Sequence, residues 1–267
     1  MTVANRITGE VMQIITCQLG PDQALYADAG KFLWKTPNVS LETRLAGPPG
    51  QAPEPAAGAA GLLRGALATA AQVGKRALAG ETLAFQWFRA AGQSGLVAFS
   101  GAAPGQIRVL ELDGTGGWYA EAGSFVCAES TVDFDIAFQG WATAHRARAG
   151  FVLEHLTGAG TVVIAGAGSF LELNPAKYGG KIQVHAGSVV AFQDRLTFGV
   201  ERVGGLSAQT AMTAVFGGEG INLATLTGDG LVVLQSFTYE GLADALHRHS
   251  SNRDEPAAGP GGILGRR

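Results

Sequence analysis

Hydrophobic and polar residues alternate along much of this chain, and each alternating run follows a recurring glycine corner. From Val132 to Phe138 the apolar Val132, Phe134, Ile136 and Phe138 interleave with Asp133, Asp135 and Ala137. A period of two sends successive side chains to opposite faces, so this run predicts a strand with one buried and one wet face. The phrase ahead of it, Tyr119, Ala120, Glu121, Ala122, Gly123, returns as Tyr26, Ala27, Asp28, Ala29, Gly30 and, more loosely, as Val184, His185, Ala186, Gly187. Glycine reaches positive φ cheaply, so each copy predicts a tight bend between strands. The first apolar residue of the next run lies nine positions beyond each corner: Val39 after Gly30, Val132 after Gly123, Leu196 after Gly187.

A second phrase accompanies the first. Gly160, Thr161, Val162, Val163, Ile164 matches Gly230, Leu231, Val232, Val233, Leu234, with Gly95, Leu96, Val97, Ala98, Phe99 as the earliest copy. Two copies are entered through Thr-Gly-x-Gly, at Thr157 and at Thr227, and a glycine-rich turn between apolar runs is a hairpin signal. Gly123 and Gly187 are 64 residues apart and Gly95 and Gly160 are 65 apart, which sets the length of a unit used three times. Units too small to bury a face alone pack against one another. The expectation is an all-β body of three repeats around a pseudo-threefold axis, sharing one interior. It forms a single domain over 1–240, with repeats at about 7–99, 100–164 and 165–236.

Gly30 and Gly123 are 93 residues apart, and the excess over 64 has a visible source. A loop of Ala, Pro and Gly runs from Ala46 to Gly61, and from Leu62 to Ala79 the residues Leu63, Leu67, Ala70, Gly74, Ala77 and Leu78 share one helical face. Arg64, Thr69, Gln72, Lys75 and Arg76 share the other, so 46–80 is expected to carry an inserted amphipathic helix. Such a helix can cover an open sheet edge, lie between subunits or, with three positive charges and no negative one, touch an anionic membrane surface. After Ser236 the repeat stops. Leu242 to His249 has room for two helical turns, and 241–267 reads as a flexible, largely disordered tail.

Composition narrows the functions open to such a body. The chain of 267 residues has 40 glycines, 46% hydrophobic residues, only 15% charged ones and a net charge of −3, so no basic field is present to recruit nucleic acid. Cys17 and Cys127 have no ligand spacing and suit a reducing compartment. Residues 1–20 carry Asn5, Arg6, Glu10 and Gln13 among apolar neighbours, unlike the unbroken centre of a signal peptide, and no run of 18 apolar residues occurs. A cytoplasmic location is expected.

The ordered set of phrases resembles a known family. The corner from Ala27 to Trp34, the run Lys75, Arg76, Ala77, Leu78, Ala79, Gly80, Glu81, the turn at Pro104 and Gly105, and Gly217, Gly218, Glu219, Gly220 through Gln235 resemble the altered-inheritance-of-mitochondria family numbered twenty-four, from about Ile7 to Ser236. That resemblance implies a double-stranded β-helix or β-sandwich body of three units, like that of the tryptophan RNA-binding attenuation protein. It implies a link to mitochondrial biogenesis and, in fungi, to inner-membrane organisation. It implies no reaction and supplies no catalytic, cofactor-binding or metal residues.

The candidate chemistry in the residues is thin. Of the five histidines only His247 and His249 have the spacing that aims two ligands at one metal, and they fall in the tail; His155 and His185 read as hydrogen-bonded strand or turn residues. Ser94 and Ser169 lie in glycine turns that lack the nucleophile-elbow pattern, and Gly166, Ala167, Gly168 lacks the third glycine and helix of a phosphate loop. Asp133 and Asp135 read as a solvated strand face, and Trp34, Trp87, Trp118 and Trp141 as core or interface anchors. No catalytic, cofactor or metal site is therefore expected, and no cofactor. The expected function is a non-enzymatic scaffold or interaction module that binds an unknown protein partner or its own copies. The alternative is a small-ligand binder with an apolar cleft between repeats.

Overall fold

The computed structural model describes residues 3–44, 84–138, 152–202 and 222–238, together with 241–243, 246, 247 and 249. The inserted helix expected within 46–80, Trp141, His145 and most of the tail lie outside these residues. Of the tail, 241–243, 246, 247 and 249 are helical.

Antiparallel strands make up most of the described chain. In order they are β1 (Ala4–Thr8), β2 (Ile14–Leu19), β3 (Ala24–Asp28), β4 (Phe32–Lys35), β5 (Val39–Arg44), β6 (Phe85–Ala90), β7 (Gly95–Ser100), β8 (Gly105–Asp113) and β9 (Trp118–Glu121). They continue as β10 (Phe125–Glu129), β11 (Val132–Phe138), β12 (Val152–Ala167), β13 (Phe170–Leu173), β14 (Lys181–His185), β15 (Val189–Gln193), β16 (Thr197–Arg202), β17 (Asn222–Thr227) and β18 (Val232–Gln235).

These strands form a four-stranded sheet β1-β2-β7-β4, a three-stranded sheet β14-β17-β16, and a longer array running β13-β18-β15-β9-β12-β10-β3-β6-β5. Among the described residues none of these sheets closes into a barrel. The long array turns within β12, a strand of sixteen residues. Its first half pairs with β9 and β11, and its second half, from Ala159 onward, pairs with β8. Gly158 at φ 96° and Gly160 at φ 149° lie between the halves and let the strand change sheets.

The alternation noted in the sequence sets burial directly. On β11, Val132, Phe134 and Ile136 are buried while Asp133 and Asp135 are exposed. Val39, Val132 and Leu196, each nine residues past a corner glycine, are all buried. Gly30 at φ 92° and Gly123 at φ 88° take the left-handed conformation that the corner requires. Gly187 does not, because its corner is a 3-10 turn spanning Ala186–Ser188, and its carbonyl accepts from Gln235 Nε2 at 3.0 Å.

Three groups of buried side chains make up the interior. The largest centres on Tyr26, Phe85, Phe125 and Phe134, with the Phe85 ring edge-on to Tyr26 at 5.3 Å and to Phe134 at 5.1 Å. A second collects Ile15, Cys17, Phe88, Phe99, Cys127 and Val163, and a third Leu153, Phe192, Leu226 and Leu234. Full burial of each such side chain is worth roughly 1.5–3 kcal/mol, so these groups dominate the stability of the described body.

Two of the pairings between strands far apart in sequence join the segment after one corner to the segment before the preceding corner. In the first, β10 lies on β3 with Cys127 opposite Ala27, Ala128 opposite Tyr26 and Glu129 opposite Leu25. In the second, β15 lies on β9 with Ala191 opposite Ala120, Phe192 opposite Tyr119 and Gln193 opposite Trp118. Counted from their corner glycines, Gly30, Gly123 and Gly187, the two registers are the same.

Candidate functional site

The polar side chains that converge in the described body do so at these strand junctions. Six residues beyond each corner glycine stands a hydrogen-bond acceptor: Thr36, Glu129 and Gln193. Each accepts the backbone N–H of the residue after the second-phrase glycine. Leu96 donates to Thr36 Oγ1 at 3.0 Å, Thr161 to Glu129 Oε2 at 3.3 Å, and Leu231 to Gln193 Oε1 at 2.9 Å.

The glycines of the second phrase follow from this contact. A Cβ on Gly160 would lie 2.5 Å from Glu129 Oε2, one on Gly95 would lie 2.3 Å from Val39 Cγ2, and one on Gly230 would lie 2.9 Å from Leu196 Cγ. The space a larger residue would need is taken by the acceptor side chain at Gly160, by the buried residue three positions after the acceptor at Gly230, and by both at Gly95. Sequence inspection finds the glycines but passes over the acceptors, because Thr, Glu and Gln share no identity. Their common signal is the offset of six from the corner.

Glu129 is the most constrained of the three. It is buried, and its Oε1 accepts the Val3 N–H at 2.6 Å, so both carboxylate oxygens hold backbone. Thr161 Oγ1 reaches Glu111 at 3.3 Å. Partial burial raises the Glu111 pKa, the hydrogen bond from Thr161 works against that shift, and the nearby Glu129 charge adds to it. Asp113, close by, is held low by the Thr115 side-chain and backbone donors.

A cavity of about 530 Å³ opens at the β3–β10 junction, lined among others by Asp22, Gln23, Glu129, Ser130, Thr131 and Gly160. A second of about 250 Å³ opens at the β9–β15 junction beside Thr115, Trp118, Gln193, Asp194 and Arg195. The first cleft mixes these polar groups with Val3, Ala24, Leu112 and Ala159, and the second mixes them with Leu112 and Trp118.

The residues considered for chemistry are dispersed. His155 stacks on Tyr119 at 4.4 Å between ring centroids, and its Nε2 lies 3.4 Å from Asp194 Oδ2, which makes it a hydrogen-bonded strand residue. His185 ends β14, while His247 and His249 are exposed on the short helix. Ser94 and Ser169 sit at turns where their backbone is used: the Ser94 carbonyl accepts from Asn38 Nδ2, and the Ser169 N–H donates to Ser236 Oγ. Gly168 has φ 73° and forms a turn against Ser236. Asp133 and Asp135 face solvent. Trp87 and Trp118 are buried, whereas Trp34 is 44% exposed. Cys17 and Cys127 are buried free thiols; burial raises the Cys127 pKa well above the ordinary range and Cys17 beside it adds to the shift.

Among the described residues no three His, Cys, Asp or Glu side chains gather as a metal site would require. No helix among them is long and apolar enough to cross a membrane.

The fold and its junctions define an all-β protein of packed antiparallel sheets whose convergent polar groups hold backbone. The chain belongs to the mitochondrial biogenesis AIM24 family, whose model matches residues 5–237. It is similar in fold to the X-ray crystal structure of a protein from Streptococcus pyogenes, at 23% identity with a TM-score of 0.68, over 92% of this chain and 99% of that one. No curated protein matches it.

Proposed function

We propose that this chain is a non-enzymatic scaffold, built from one unit used three times around a pseudo-threefold axis, that presents its surface to a protein partner or to its own copies. What carries the reading is how the polar groups at the junctions, buried Glu129 and half-buried Gln193, are used. Glu129 and Gln193 stand where substrate ligands would be expected, at clefts between strands, yet they accept backbone N–H groups and pin one strand to the next. A buried group committed to backbone is poorly placed to bind substrate or move a proton.

Three further observations support the triplicated unit. The corner, the acceptor six residues on and the buried residue nine residues on recur at Gly30, Gly123 and Gly187. The strand order β5-β6-β3 has its parallels in β11-β12-β9 and β16-β17-β14. The order β4-β7-β2 likewise parallels β10-β12-β8 and β15-β18-β13. Three such units would give the double-stranded β-helix arrangement implied by the resemblance to the attenuation protein. Membership of the mitochondrial biogenesis AIM24 family supports a role for the scaffold in that process.

Native mass spectrometry of the chain purified under mild conditions tests this reading. Assembly with a protein partner or with further copies is expected. A lone monomer, or a monomer that carries a stoichiometric small molecule, would contradict it.

A further inference from the structure

The two clefts occupy the same place in successive units. Asp22, Gln23 and Ala24, eight to six residues before Gly30, wall the first together with Glu129, Ser130 and Thr131, six to eight residues after Gly123. Thr115, Gly116 and Gly117 wall the second together with Gln193, Asp194 and Arg195, at the same offsets from Gly123 and Gly187. The residue eight past each corner lies over the second-phrase glycine. A Cβ on Gly95 would meet Asn38 Nδ2 at 3.2 Å, one on Gly160 Thr131 Oγ1 at 2.8 Å, and one on Gly230 Arg195 Nε at 3.2 Å.

The offsets match, and the charges do not. In the second cleft Arg195 brings a guanidinium, which donates from Nη2 to Gln193 Oε1 at 2.6 Å in a wall shared with Asp194. In the first, the matched position is Thr131, whose hydroxyl donates to the Ala159 carbonyl at 2.7 Å, and the charged Glu129 stands in place of Gln193. Asp22 adds a second carboxylate. Among the described residues no Lys, Arg or His lines this cleft, and neither Asp22 nor Glu129 forms an ion pair. The first cleft is also the larger, about 530 Å³ against about 250 Å³.

We propose that the first cleft binds a guanidinium on an alkyl stem, supplied by an arginine of a partner protein, in the place that Arg195 fills within the second. The wall charges set the chemistry of the guest; its source in a protein rests on the scaffold reading, and its placement on the triplicated unit. Both Glu129 oxygens are committed to backbone, so Glu129 contributes its buried charge, and the exposed Asp22 carboxylate makes the direct contact. A buried charge without an opposite one is costly, and an incoming cation relieves it. A guanidinium meets a carboxylate in a two-pronged planar pair that an ammonium does not reproduce. Val3, Ala24, Leu112 and Ala159 supply apolar wall for the methylene stem.

NMR titration of the full-length chain tests the site with a capped Gly-Ser-Arg-Ser-Gly peptide, the same peptide carrying citrulline for arginine, and agmatine. The arginine peptide should shift the amides of Val3 and Thr161, both bonded to Glu129, and leave that of Leu231 at the second cleft in place. The neutral citrulline peptide should bind at least about tenfold more weakly. Thr131→Arg, which fills the cleft from within, should lower the affinity of the arginine peptide by about tenfold or more, and so should Asp22→Asn, an exposed change to a residue that tolerates the φ of 62° found there. An arginine peptide that shifts neither amide, a citrulline peptide that binds equally well, or binding that survives Thr131→Arg unchanged overturns the proposal. Agmatine that binds more tightly than the peptide overturns the protein source. A small guanidinium compound that copurifies in stoichiometric amount does the same and contradicts the scaffold reading as well. A protein partner held equally by Thr131→Arg and the wild type overturns the site and leaves the scaffold standing.

Discussion

Glu129 lies over Gly160 and takes the N–H of Thr161 on Oε2, while its Oε1 takes the N–H of Val3. One side chain thus ties the start of the chain and the middle of β12 to the end of β10. Gln193 and Thr36 stand at the equivalent offset from their own corners and accept the equivalent N–H. The Glu129 position therefore asks for two acceptor oxygens, where the Gln193 and Thr36 positions ask for one.

Replacing Glu129 removes these acceptors one or two at a time. Glu129→Gln keeps one acceptor oxygen, as Gln193 does naturally, but sets an amide NH2 against the second buried N–H and should cost about 1–3 kcal/mol. Glu129→Ala leaves the buried N–H groups of Val3 and Thr161 without acceptors and should cost about 2–6 kcal/mol, at about 1–3 kcal/mol for each group. Urea unfolding of the two variants beside the wild type measures the difference.

The glycines divide by the reason they are glycine. Gly95→Ala pushes a methyl into Val39, and Gly160→Ala pushes one into Glu129 at a positive φ; each should lose about 1–3 kcal/mol or more from overpacking. Gly30→Ala meets nothing within 4 Å, so it should cost only the left-handed conformation, about 1–2 kcal/mol. Thermal unfolding should rank Gly160→Ala as the more damaging of the two positive-φ changes.

Tyr26 bridges the first corner segment to the strand after the second, donating its hydroxyl to the Val132 carbonyl at 3.1 Å inside the aromatic group. Tyr26→Phe should lower stability by about 1 kcal/mol through that lost bond. Phe85→Ala, which empties a position in contact with Tyr26, Phe125 and Phe134, should lower it by about 3–5 kcal/mol.

Glu111 gives the protein a pH signature. Its pKa is raised on folding, mainly by desolvation, so its contribution is fully present below the ordinary value of 4.5 and is lost as pH rises through the higher folded value. Glu111→Gln, which removes the titration and keeps an acceptor for Thr161, should be more stable than wild type at pH 7. That gain should vanish below pH 4.5. Unfolding midpoints across that range check the sign.

The all-β class and the strands after Gly123 were legible in the sequence because a period of two survives wherever one face is buried and the other wet, as on β11. The corners at Gly30 and Gly123 were legible because positive φ selects glycine. Gly187 looked alike in sequence but forms a 3-10 turn, since an alanine and glycine pair fits either bend. The junction acceptors were not legible, because backbone N–H groups accept any suitable oxygen and so leave no residue identity to match. The cleft lining was hidden for a related reason: Asp22 lies in the turn before β3, Glu129 ends β10 and Gly160 lies within β12, and only the fold brings the three together.

Residue-resolved amide hydrogen exchange at Leu96, Thr161 and Leu231 tests the central claim most directly, since these three N–H groups make the same bond in three places. All three should exchange slowly, and each should speed up when its own acceptor, Thr36, Glu129 or Gln193, is replaced by alanine. Fast exchange at any one of them in the wild type, at rates like those of the exposed β1 strand, would contradict a single junction used three times.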